Sequence, residues 1–457
     1  MDERVVVGLD IGSTKVCAVV GRVSNHGTLE ILGVGMADST GVPKGVVLNI
    51  NKTVDAVNQA IEQAANQSDY DIGSVWVSLG GQNVQGLRKK GSLMRDTFGT
   101  EVMMEDVERL SKDVLREPVT PGTTVLHVLP QEYSVDNWND IPDPVGMTGM
   151  RLQASFQVIT SPTLAYENVQ KCVERARSVG QPGHLEPEGQ VFAPLAAAMA
   201  TLTEEEKEDG VALVDIGGGT TDVIIFHKKI IRHLAVIPLA GNSLTTDLER
   251  GCSVSSSQAE VLKRRFGAAL HTAFGINEVV SVPGRGLGKP PKDVSLKNVG
   301  IIIEERLKEI AALVNAELIR SGYENKLSGG IVLTGGTAKL EDIDTLFATV
   351  MGKEARVGKP NQHFVKGKLD VAEDPACATA VGLVWCGSRS LDYRQNEYRR
   401  QEFVAAEPIA TVPPRPTGPR QTEVPIPPKP KRPNLFRQFI SGVLNDEIGD
   451  KDSYSER

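Results

Sequence analysis

Residues 211–226 read VALVDIGGGTTDVIIF and decide the fold class. Two runs rich in β-branched residues flank a turn of glycine and threonine, which predicts two strands joined by a tight hairpin. A second copy of the pattern, VVVGLDIGSTKVCAVV, occupies residues 5–20. Repeats about two hundred residues apart are far longer than solenoid units of about 20 to 50 residues. The duplication therefore predicts two related α/β domains that face each other and bind a ligand between them.

A third glycine turn follows another buried strand. Residues 331–337 read IVLTGGT, and a helical pattern runs from there to residue 349. A strand, a glycine turn and a helix in that order let the backbone approach a phosphate or a ribose. Residues 84–160 are rich in strands and turns, which predicts a small inserted subdomain. Further helical periods cover residues 52–66, 104–116, 163–179, 244–250, 256–266 and 299–321.

The two hairpin turns favour a triphosphate site. Glycines let backbone N–H groups reach phosphate oxygens, hydroxyl groups add donors, and Lys15 adds a positive charge. Asp10 and Asp215 each end a strand, and Mg²⁺ prefers one or two carboxylates with retained waters, a shell that Asp222 can orient. The candidate residues are Asp10, Gly12, Ser13, Thr14, Lys15, Asp215, Gly217, Gly218, Gly219, Thr220 and Thr221, with Asp10 and Asp215 holding Mg²⁺ through water.

Three alternatives to a triphosphate site fit these turns less well. The first alternative is that both are ordinary connecting turns, which use the same residue types. This is disfavoured because the two turns share one pattern and each follows a strand that ends in an aspartate. Residues 8–15 lack the Gly-Lys-Ser/Thr ending of a P-loop. A dinucleotide site requires a helix after the turn, whereas a second strand follows here.

Composition excludes several classes of protein. A chain of 457 residues with 40% hydrophobic and 24% charged residues predicts a folded protein. A net charge of −8 argues against nonspecific nucleic-acid binding. The 5 cysteines contain no Cys-x-x-Cys spacing, so we expect neither a zinc site nor a disulfide framework but a reduced, cytosolic setting. We expect no secretion signal, and the apolar run 191–202 is too short to span a bilayer, so any membrane contact should be peripheral.

The composition changes after residue 404. Prolines are dense between residues 405 and 433, which predicts an extended linker. Residues 434–445 regain a helical period with one apolar half, formed by Leu435, Phe436, Phe439, Ile440, Val443 and Leu444. Such a helix either lies in a membrane interface or docks in a protein groove, and nearby basic residues favour anionic lipid. The acidic tail 446–457 weakens this attraction, so anchoring should depend on polymerisation.

Taken together, the motifs resemble known families. DIGSTK, DIGGGTTD and VLTGGTAKLEDI resemble the nucleotide motifs of the ATPase superfamily that contains actin, the heat-shock chaperones and the sugar kinases. Over residues 3–390 the chain is more narrowly similar to the FtsA family of bacterial cell-division proteins. The segments that carry this similarity are GLDIGSTKV, GVPKGVVLNI, VLHVLPQEYSVD, DPVGMTGMRL, LTEEEKEDGVALVDIGGGTTD, IRHLAVIPLAGN and GGIVLTGGTAKLE.

The resemblance implies an α/β fold of the actin-like, ribonuclease H-like duplicated ATPase type, with an FtsA-type insert, a disordered linker and a C-terminal amphipathic helix. The first half would consist of subdomain 1A, at 1–83 and 161–206 with a closing helix at 376–404, and of the insert 1C at 84–160. The second half would consist of subdomain 2A, at 207–243 and 329–375, and of subdomain 2B at 244–328. The linker 405–433, the helix 434–445 and the tail 446–457 would follow. It also implies nucleotide contacts from Gly241, Asn242, Glu260, Lys263, Gly335 and Gly336. Glu260 and Lys263, three residues apart on one helix, equally fit a solvated ion pair.

The same resemblance implies a function. By this resemblance the chain would bind ATP and Mg²⁺, polymerise at the cytoplasmic face of the membrane, anchor FtsZ filaments at the division septum through its terminal helix, and recruit later division proteins. The FtsZ tail peptide would dock beside a basic loop carrying Arg285, Lys289 and Lys292, for which a solvated loop is the alternative. Many hydrolysing members of the wider superfamily carry an acidic or amide residue where this chain has Ala193, so we expect weak or negligible ATPase activity.

Two rival functions follow from the superfamily. A small-molecule phosphotransferase needs a catalytic carboxylate beside a substrate pocket, but it has no use for a tethered amphipathic helix. A chaperone needs a folded peptide-binding domain, and the roughly 65 residues after residue 390 are too few for one.

Overall fold

The computed structural model describes residues 4–24, 28–95, 99–116, 118–284, 290–360, 365–367 and 373–388. All of them belong to the first of two units of the chain, residues 1–401. The predicted linker 405–433, amphipathic helix 434–445 and acidic tail 446–457 fall in the second unit and lie outside the described residues. The part of the predicted closing helix after residue 388 also lies outside the described residues.

The first sheet contains six strands in the order β17-β3-β2-β1-β4-β9. Its strands are β1 (Val5–Ile11), β2 (Lys15–Val23), β3 (Leu29–Asp38), β4 (Ser74–Leu79), β9 (Glu186–Phe192) and β17 (Val365–Gly367). Strands β1 to β3 form an antiparallel meander, and β4 and β9 add in parallel beside β1. The helices associated with this sheet are α1 (Ile50–Ser68), α3 (Thr163–Arg175), α4 (Ala193–Thr201) and α10 (Ala378–Ser388). Alternate residues of β2 belong to separate apolar clusters, so helices cover both faces of the sheet.

The second sheet repeats this strand order as β12-β11-β10-β15-β16. Its strands are β10 (Val211–Ile216), β11 (Thr221–His227), β12 (Ile230–Ile237), β15 (Ile331–Thr334) and β16 (Ala355–Val357). An antiparallel meander is again followed by two parallel strands. The register also repeats, because Asp10 pairs with Cys17 in the first hairpin and Asp215 pairs with Asp222 in the second. The predicted duplicated α/β fold is therefore confirmed.

The second half carries most of the remaining helices. They are α5 (Glu204–Asp209), α6 (Gly241–Gly251), α7 (Ser256–Phe266), α8 (Leu296–Ser321) and α9 (Ile343–Met351), with the small hairpin β13 (Val279–Val282) and β14 (Lys292–Ser295). Local sequence sets several helix ends. Ser255 and Gln258 form a reciprocal capping box at the start of α7, and α8 ends where Gly322 takes a positive φ of 71°.

Residues 85–162 form a separate layer with its own core. The antiparallel sheet has the order β5-β8-β6-β7, from β5 (Gln85–Met94), β6 (Thr123–Val135), β7 (Trp138–Ile141) and β8 (Arg151–Pro162), and α2 (Met104–Arg116) packs on it. Buried side chains such as Leu110, Tyr133 and Phe156 fill the space between helix and sheet. Arg95, only 8% exposed, donates to the carbonyls of Thr100 and Gly149 at 2.8 and 2.7 Å and closes the loop before α2.

The structure differs from the predicted division of the chain at one strand. Residues 365–367 fall within the segment assigned to the second half, 329–375, but they form β17 and pair in parallel with β3 of the first sheet. The chain thus returns to the first half before α10 begins. No local pattern in so short a strand indicates which sheet edge it joins.

Candidate functional site

The two hairpin turns lie directly against each other. A Cβ atom on Gly218 would be 2.3 Å from Cγ2 of Thr14, and one on Gly219 would be 2.4 Å from Oγ of Ser13. These positions therefore need glycine for a close approach of the two halves. Ser13 is held in place because its Oγ accepts a hydrogen bond of 2.8 Å from the backbone N–H of Gly45.

A cleft of about 1270 Å³ opens between the two turns. Of the predicted nucleotide-binding residues, those that line it are Asp10, Gly12, Ser13, Thr14, Lys15, Asp215, Gly217, Gly218, Gly219, Thr220, Gly241, Asn242, Glu260, Lys263, Gly335 and Gly336. Thr221 is the exception. It is fully buried, and its Oγ1 donates to the Leu239 carbonyl at 2.7 Å. Because side chains alternate along a strand, Thr221 points into the protein while Asp222, the next residue of β11, lines the cleft.

Three carboxylates, those of Asp10, Asp215 and Asp222, line this cleft. Asp10 accepts a hydrogen bond of 2.8 Å from Oγ of Ser78. Burial raises the pKa of all three carboxyls, and for Asp215 burial together with the nearby Asp10 raises it to about 6. Asp222 is also close to Asp215, and its Oδ1 has no hydrogen-bond partner among the described residues. Neighbouring carboxylates whose charged form is disfavoured in this way would be stabilised by a bound cation.

Lys15 supplies a positive charge to the same place. Its Nζ is buried and makes no hydrogen bond to any described residue. A buried ammonium that makes no hydrogen bond leaves its donors unsatisfied, and an anionic ligand would accept from them. The donor set fits a phosphate chain with Mg²⁺: the ammonium and the turn N–H groups suit phosphate oxygens, and the Asp10 and Asp215 carboxylates suit a hard cation.

Two neighbouring segments hydrogen-bond to the second hairpin turn. The backbone N–H groups of Gly241 and Asn242 donate to the carbonyls of Gly217 and Gly218 at 3.1 and 2.7 Å. Thr337 Oγ1 also donates to the Gly217 carbonyl, at 2.8 Å. The N-terminus of α6 and the glycine turn after β15 are thus attached to the second hairpin turn.

Gly335 fits its position for a conformational reason. Its φ is +88°, and a Cβ atom there would lie 2.3 Å from Oδ1 of Asp215. Both constraints exclude a side chain. The Gly335 N–H donates to the Pro375 carbonyl at 3.2 Å, which attaches this loop to the 3-10 turn Pro375–Cys377 before α10.

Glu260 and Lys263 form more than a solvated ion pair. Lys263 Nζ lies 2.6 Å from Oε2 of Glu260 and donates to the Gly241 carbonyl at 3.0 Å and to Thr245 Oγ1 at 2.9 Å. The Lys263 side chain is 11% exposed and the Glu260 side chain 38%. The pair therefore joins α7 to the start of α6 and leaves the Glu260 carboxylate partly open to the cleft.

Ala193 also lines the cleft, as the first residue of α4. A Cβ atom on Gly80 would lie 3.6 Å from its methyl group. A methyl group can neither orient a water molecule nor accept its proton.

Some cleft residues carry no signal in the sequence. Ser78 lies near the end of β4, and only the parallel pairing of β4 with β1 brings it to Asp10. Lys339 and Asp374 form an ion pair of 2.7 Å between residues of the cleft wall. Their contact joins distant parts of the chain, so no spacing rule could have predicted it.

The predicted basic loop is only partly described. Arg285 and Lys289 lie outside the described residues. Lys292 is predicted on a loop, but it begins β14, where backbone pairing with Val282 holds it in the hairpin. Its Nζ donates to the Cys252 carbonyl at 2.7 Å.

Comparison with known proteins identifies the same family that the sequence motifs resemble. The family model described as "Cell division protein FtsA" matches residues 212–382, and the model "SHS2 domain inserted in FTSA" matches residues 81–160. The cell division protein FtsA of Pseudomonas aeruginosa is 40% identical over 385 residues, covering 84% of this chain and 89% of that protein. The FtsA of Escherichia coli is 38% identical over 396 residues, covering 85% and 91%. The chain belongs to the FtsA family.

Membership in the FtsA family agrees with the fold. A solved PilM-PilN type IV pilus biogenesis complex contains a chain that superimposes with a TM-score of 0.59 at 16% identity, covering 84% of this chain and 98% of that one. This likeness concerns the fold alone. The molecule has an actin-like ATPase fold with the FtsA-type insert. Among the described residues, no helix is long and apolar enough to span a membrane.

Proposed function

We propose that the cleft binds ATP with Mg²⁺. The observation that carries this proposal is the buried Lys15 ammonium, which makes no hydrogen bond to any described residue and lies near the cleft carboxylates between two glycine turns. Backbone N–H groups of both turns would bind the phosphates, and Lys15 would neutralise part of their charge. Bound Mg²⁺, held through water by Asp10 and Asp215, would offset the repulsion between phosphates and carboxylates.

We also propose that hydrolysis is slow. Ala193 stands at the start of α4 beside the cleft and offers no proton acceptor to an attacking water. Closure of the two halves around ATP then serves as a conformational signal, since a ligand that contacts both halves stabilises their closed arrangement.

The test of the ATP proposal is a binding titration with Mg²⁺-ATP. The substitution Asp215→Asn removes a carboxylate that orders the water shell of the metal. We expect the affinity for Mg²⁺-ATP to fall by about 10- to 100-fold. Asp113→Asn, the same change on the exposed face of α2, is the matched control and should bind as the unaltered protein does. Equal affinities of the two variants for Mg²⁺-ATP would contradict the assignment of the Asp215 carboxylate to the metal shell.

The proposed role in the cell is that of a membrane-tethered adaptor in division. Family membership supports a cell-division role, and the apolar half of residues 434–445 supports attachment to the cytoplasmic face of the membrane at the septum. Polymers of this protein would gather many weak anchors and hold FtsZ filaments through the FtsZ tail peptide, with later division proteins joining them.

Vesicle co-sedimentation with Mg²⁺-ATP and purified FtsZ tests this role. The full chain should sediment with anionic vesicles and carry FtsZ with it, whereas a chain truncated after Arg432 should do neither. Phe439→Glu places a charge on the apolar half and should abolish sedimentation, while Gln438→Glu places the same charge on the polar half and should reduce it only slightly. If every variant stays in the supernatant, the terminal segment is no anchor and phosphotransferase assays become the next step.

A further inference from the structure

Two cysteines distant in sequence meet beneath the cleft. Cys17 on β2 and Cys377 at the end of the turn before α10 are both fully buried, and their sulfur atoms are 3.9 Å apart. Both belong to the apolar cluster between the first sheet and α10. The nucleotide cleft uses neither thiol, and the 5 cysteines of the described residues are all free and buried.

The pair joins the two segments that position the cleft loops. Cys17 lies two residues beyond Lys15 on the same strand and the same face. Cys377 ends the Pro375–Cys377 turn, whose Pro375 carbonyl accepts hydrogen bonds from the Gly335 N–H at 3.2 Å and from Thr334 Oγ1 at 3.3 Å. A bond between the sulfurs would therefore connect the first phosphate hairpin to the Gly335 loop of the second half.

We propose that Cys17 and Cys377 are a redox modification site, where a hydroperoxide forms a disulfide that fixes the two loops of the cleft. A disulfide needs a sulfur separation of about 2.05 Å, so the sulfurs must approach by side-chain rotation and a small movement of the Pro375–Cys377 turn. In reducing compartments, disulfides of this kind are usually transient and sense oxidants.

The chemistry balances with one oxidant. One thiol, as the thiolate, attacks an oxygen of hydrogen peroxide, the O–O bond breaks, and a sulfenic acid and hydroxide form. The second thiol attacks the sulfenic sulfur, the S–S bond forms, and hydroxide leaves. The two thiol protons convert both hydroxides to water, so two thiols and one peroxide give one disulfide and two waters.

The cleft supplies the approach for the oxidant. The cleft is lined by Lys15, two residues before Cys17, and by Ala376, the residue before Cys377. A ligand in the cleft covers this route, so Mg²⁺-ATP should slow the oxidation. This protection rests on the proposed ATP binding, whereas formation of the disulfide does not.

The first measurement is peptide mapping by mass spectrometry after treatment of the full chain with hydrogen peroxide and no nucleotide. We expect a cross-linked pair of peptides containing Cys17 and Cys377, with loss of two hydrogen atoms, and its disappearance after reduction with dithiothreitol. Cys386→Ala, which removes another buried cysteine of α10, should leave the cross-link intact. Oxidation elsewhere without a 17–377 cross-link, or no oxidation at all, would overturn the proposal.

The second measurement is the release rate of a fluorescent ATP analogue. Release from the oxidised protein should be about tenfold slower than from the reduced protein, a typical coupling between two sites. Cys17→Ala and Cys377→Ala should show the reduced rate with or without peroxide, and their melting temperatures verify that they fold. A cross-link that leaves the release rate unchanged would contradict the locking of the loops, and failure of the analogue to bind at all would count against ATP binding rather than against the disulfide.

Discussion

At the scale of single residues, His127 is the most informative side chain outside the cleft. It lies on β6 of the insert, is 1% exposed, and its Nε2 accepts a hydrogen bond of 2.7 Å from the backbone N–H of Phe192. A backbone N–H can only donate, so the ring must stay neutral for this bond to exist. Phe192 directly precedes Ala193, which means that the insert fixes the start of α4 at the cleft.

This contact predicts a loss of stability in acid. Burial lowers the pKa of His127 from 6.5 to about 3, so between those values the unfolded chain takes up a proton that the folded chain does not. The contribution of His127 to the free energy of unfolding is therefore fully present above pH 6.5 and is lost as the pH decreases towards 3. The loss is about 2 kcal/mol between pH 7 and pH 5. Denaturant unfolding of His127→Gln, whose amide oxygen still accepts the hydrogen bond, should show a weaker decrease than the unaltered protein. His184→Gln, at an exposed position, should retain the full decrease, and identical pH profiles for all three proteins would contradict the assignment.

Sequence reasoning at this scale succeeds where the chemistry is local. Asp10, Lys15 and Asp215 belong to short motifs that end strands, so their presence in the cleft follows from the hairpin pattern alone. The hydroxyl that the pattern assigns to Thr221 is turned away from the cleft, because the strand begins at that residue and turns its side chain inward. Ser78 gives no such signal, because its role depends on which strand lies next to β1.

At the scale of elements, α10 shows how tightly helices pack against the first sheet. A Cβ atom on Gly382 would lie 1.8 Å from the Ala196 carbonyl oxygen of α4, and one on Gly8 of β1 would lie 2.3 Å from the Ala380 carbonyl oxygen. The backbones therefore touch at both contacts. The helical period of the sequence predicts neither close approach, since it identifies apolar faces but not the distance between them.

Gly382→Ala should reverse the usual effect of such a change. In an isolated helix, alanine is about 1 kcal/mol more favourable than glycine, but here the added methyl group meets backbone and should destabilise the protein by about 1–3 kcal/mol. Thermal or denaturant unfolding measures the difference. Ser388→Ala at the end of the same helix should change stability by less than about 0.5 kcal/mol, and a Gly382→Ala protein more stable than the parent would show that the helices can separate.

At the scale of the whole molecule, the insert touches both halves of the fold. His127 binds the first half, and on the other side Glu132 of β6 pairs with Arg232 of β12 at 2.6 Å, with Arg232 9% exposed. Arg88 of β5 also donates to the Arg232 carbonyl at 2.6 Å. The resemblance implies an insert but not these contacts, which depend on the packing of two sheets.

A double-mutant cycle with Glu132→Gln and Arg232→Met measures the contact between the insert and the second half. Because the Arg232 side chain is largely removed from water, we expect a coupling free energy of about 0.5–3 kcal/mol in unfolding experiments. The exposed pair Glu108 and Lys112, one turn apart on α2, should give no more than about 0.5 kcal/mol. Equal couplings for the two pairs would mean that the insert is not joined to the second half through this ion pair.

The return of the chain to the first sheet has a consequence for biosynthesis. Strand β3 leaves the ribosome early, but its outer neighbour β17 and the covering helix α10 are among the later parts to be translated. Until then the nascent chain exposes an unpaired strand edge and an uncovered apolar face, both of which invite wrong pairing. The first half, although translated before the second, is thus completed only after it, so protection by ribosome-bound factors matters most for the strands of the first sheet.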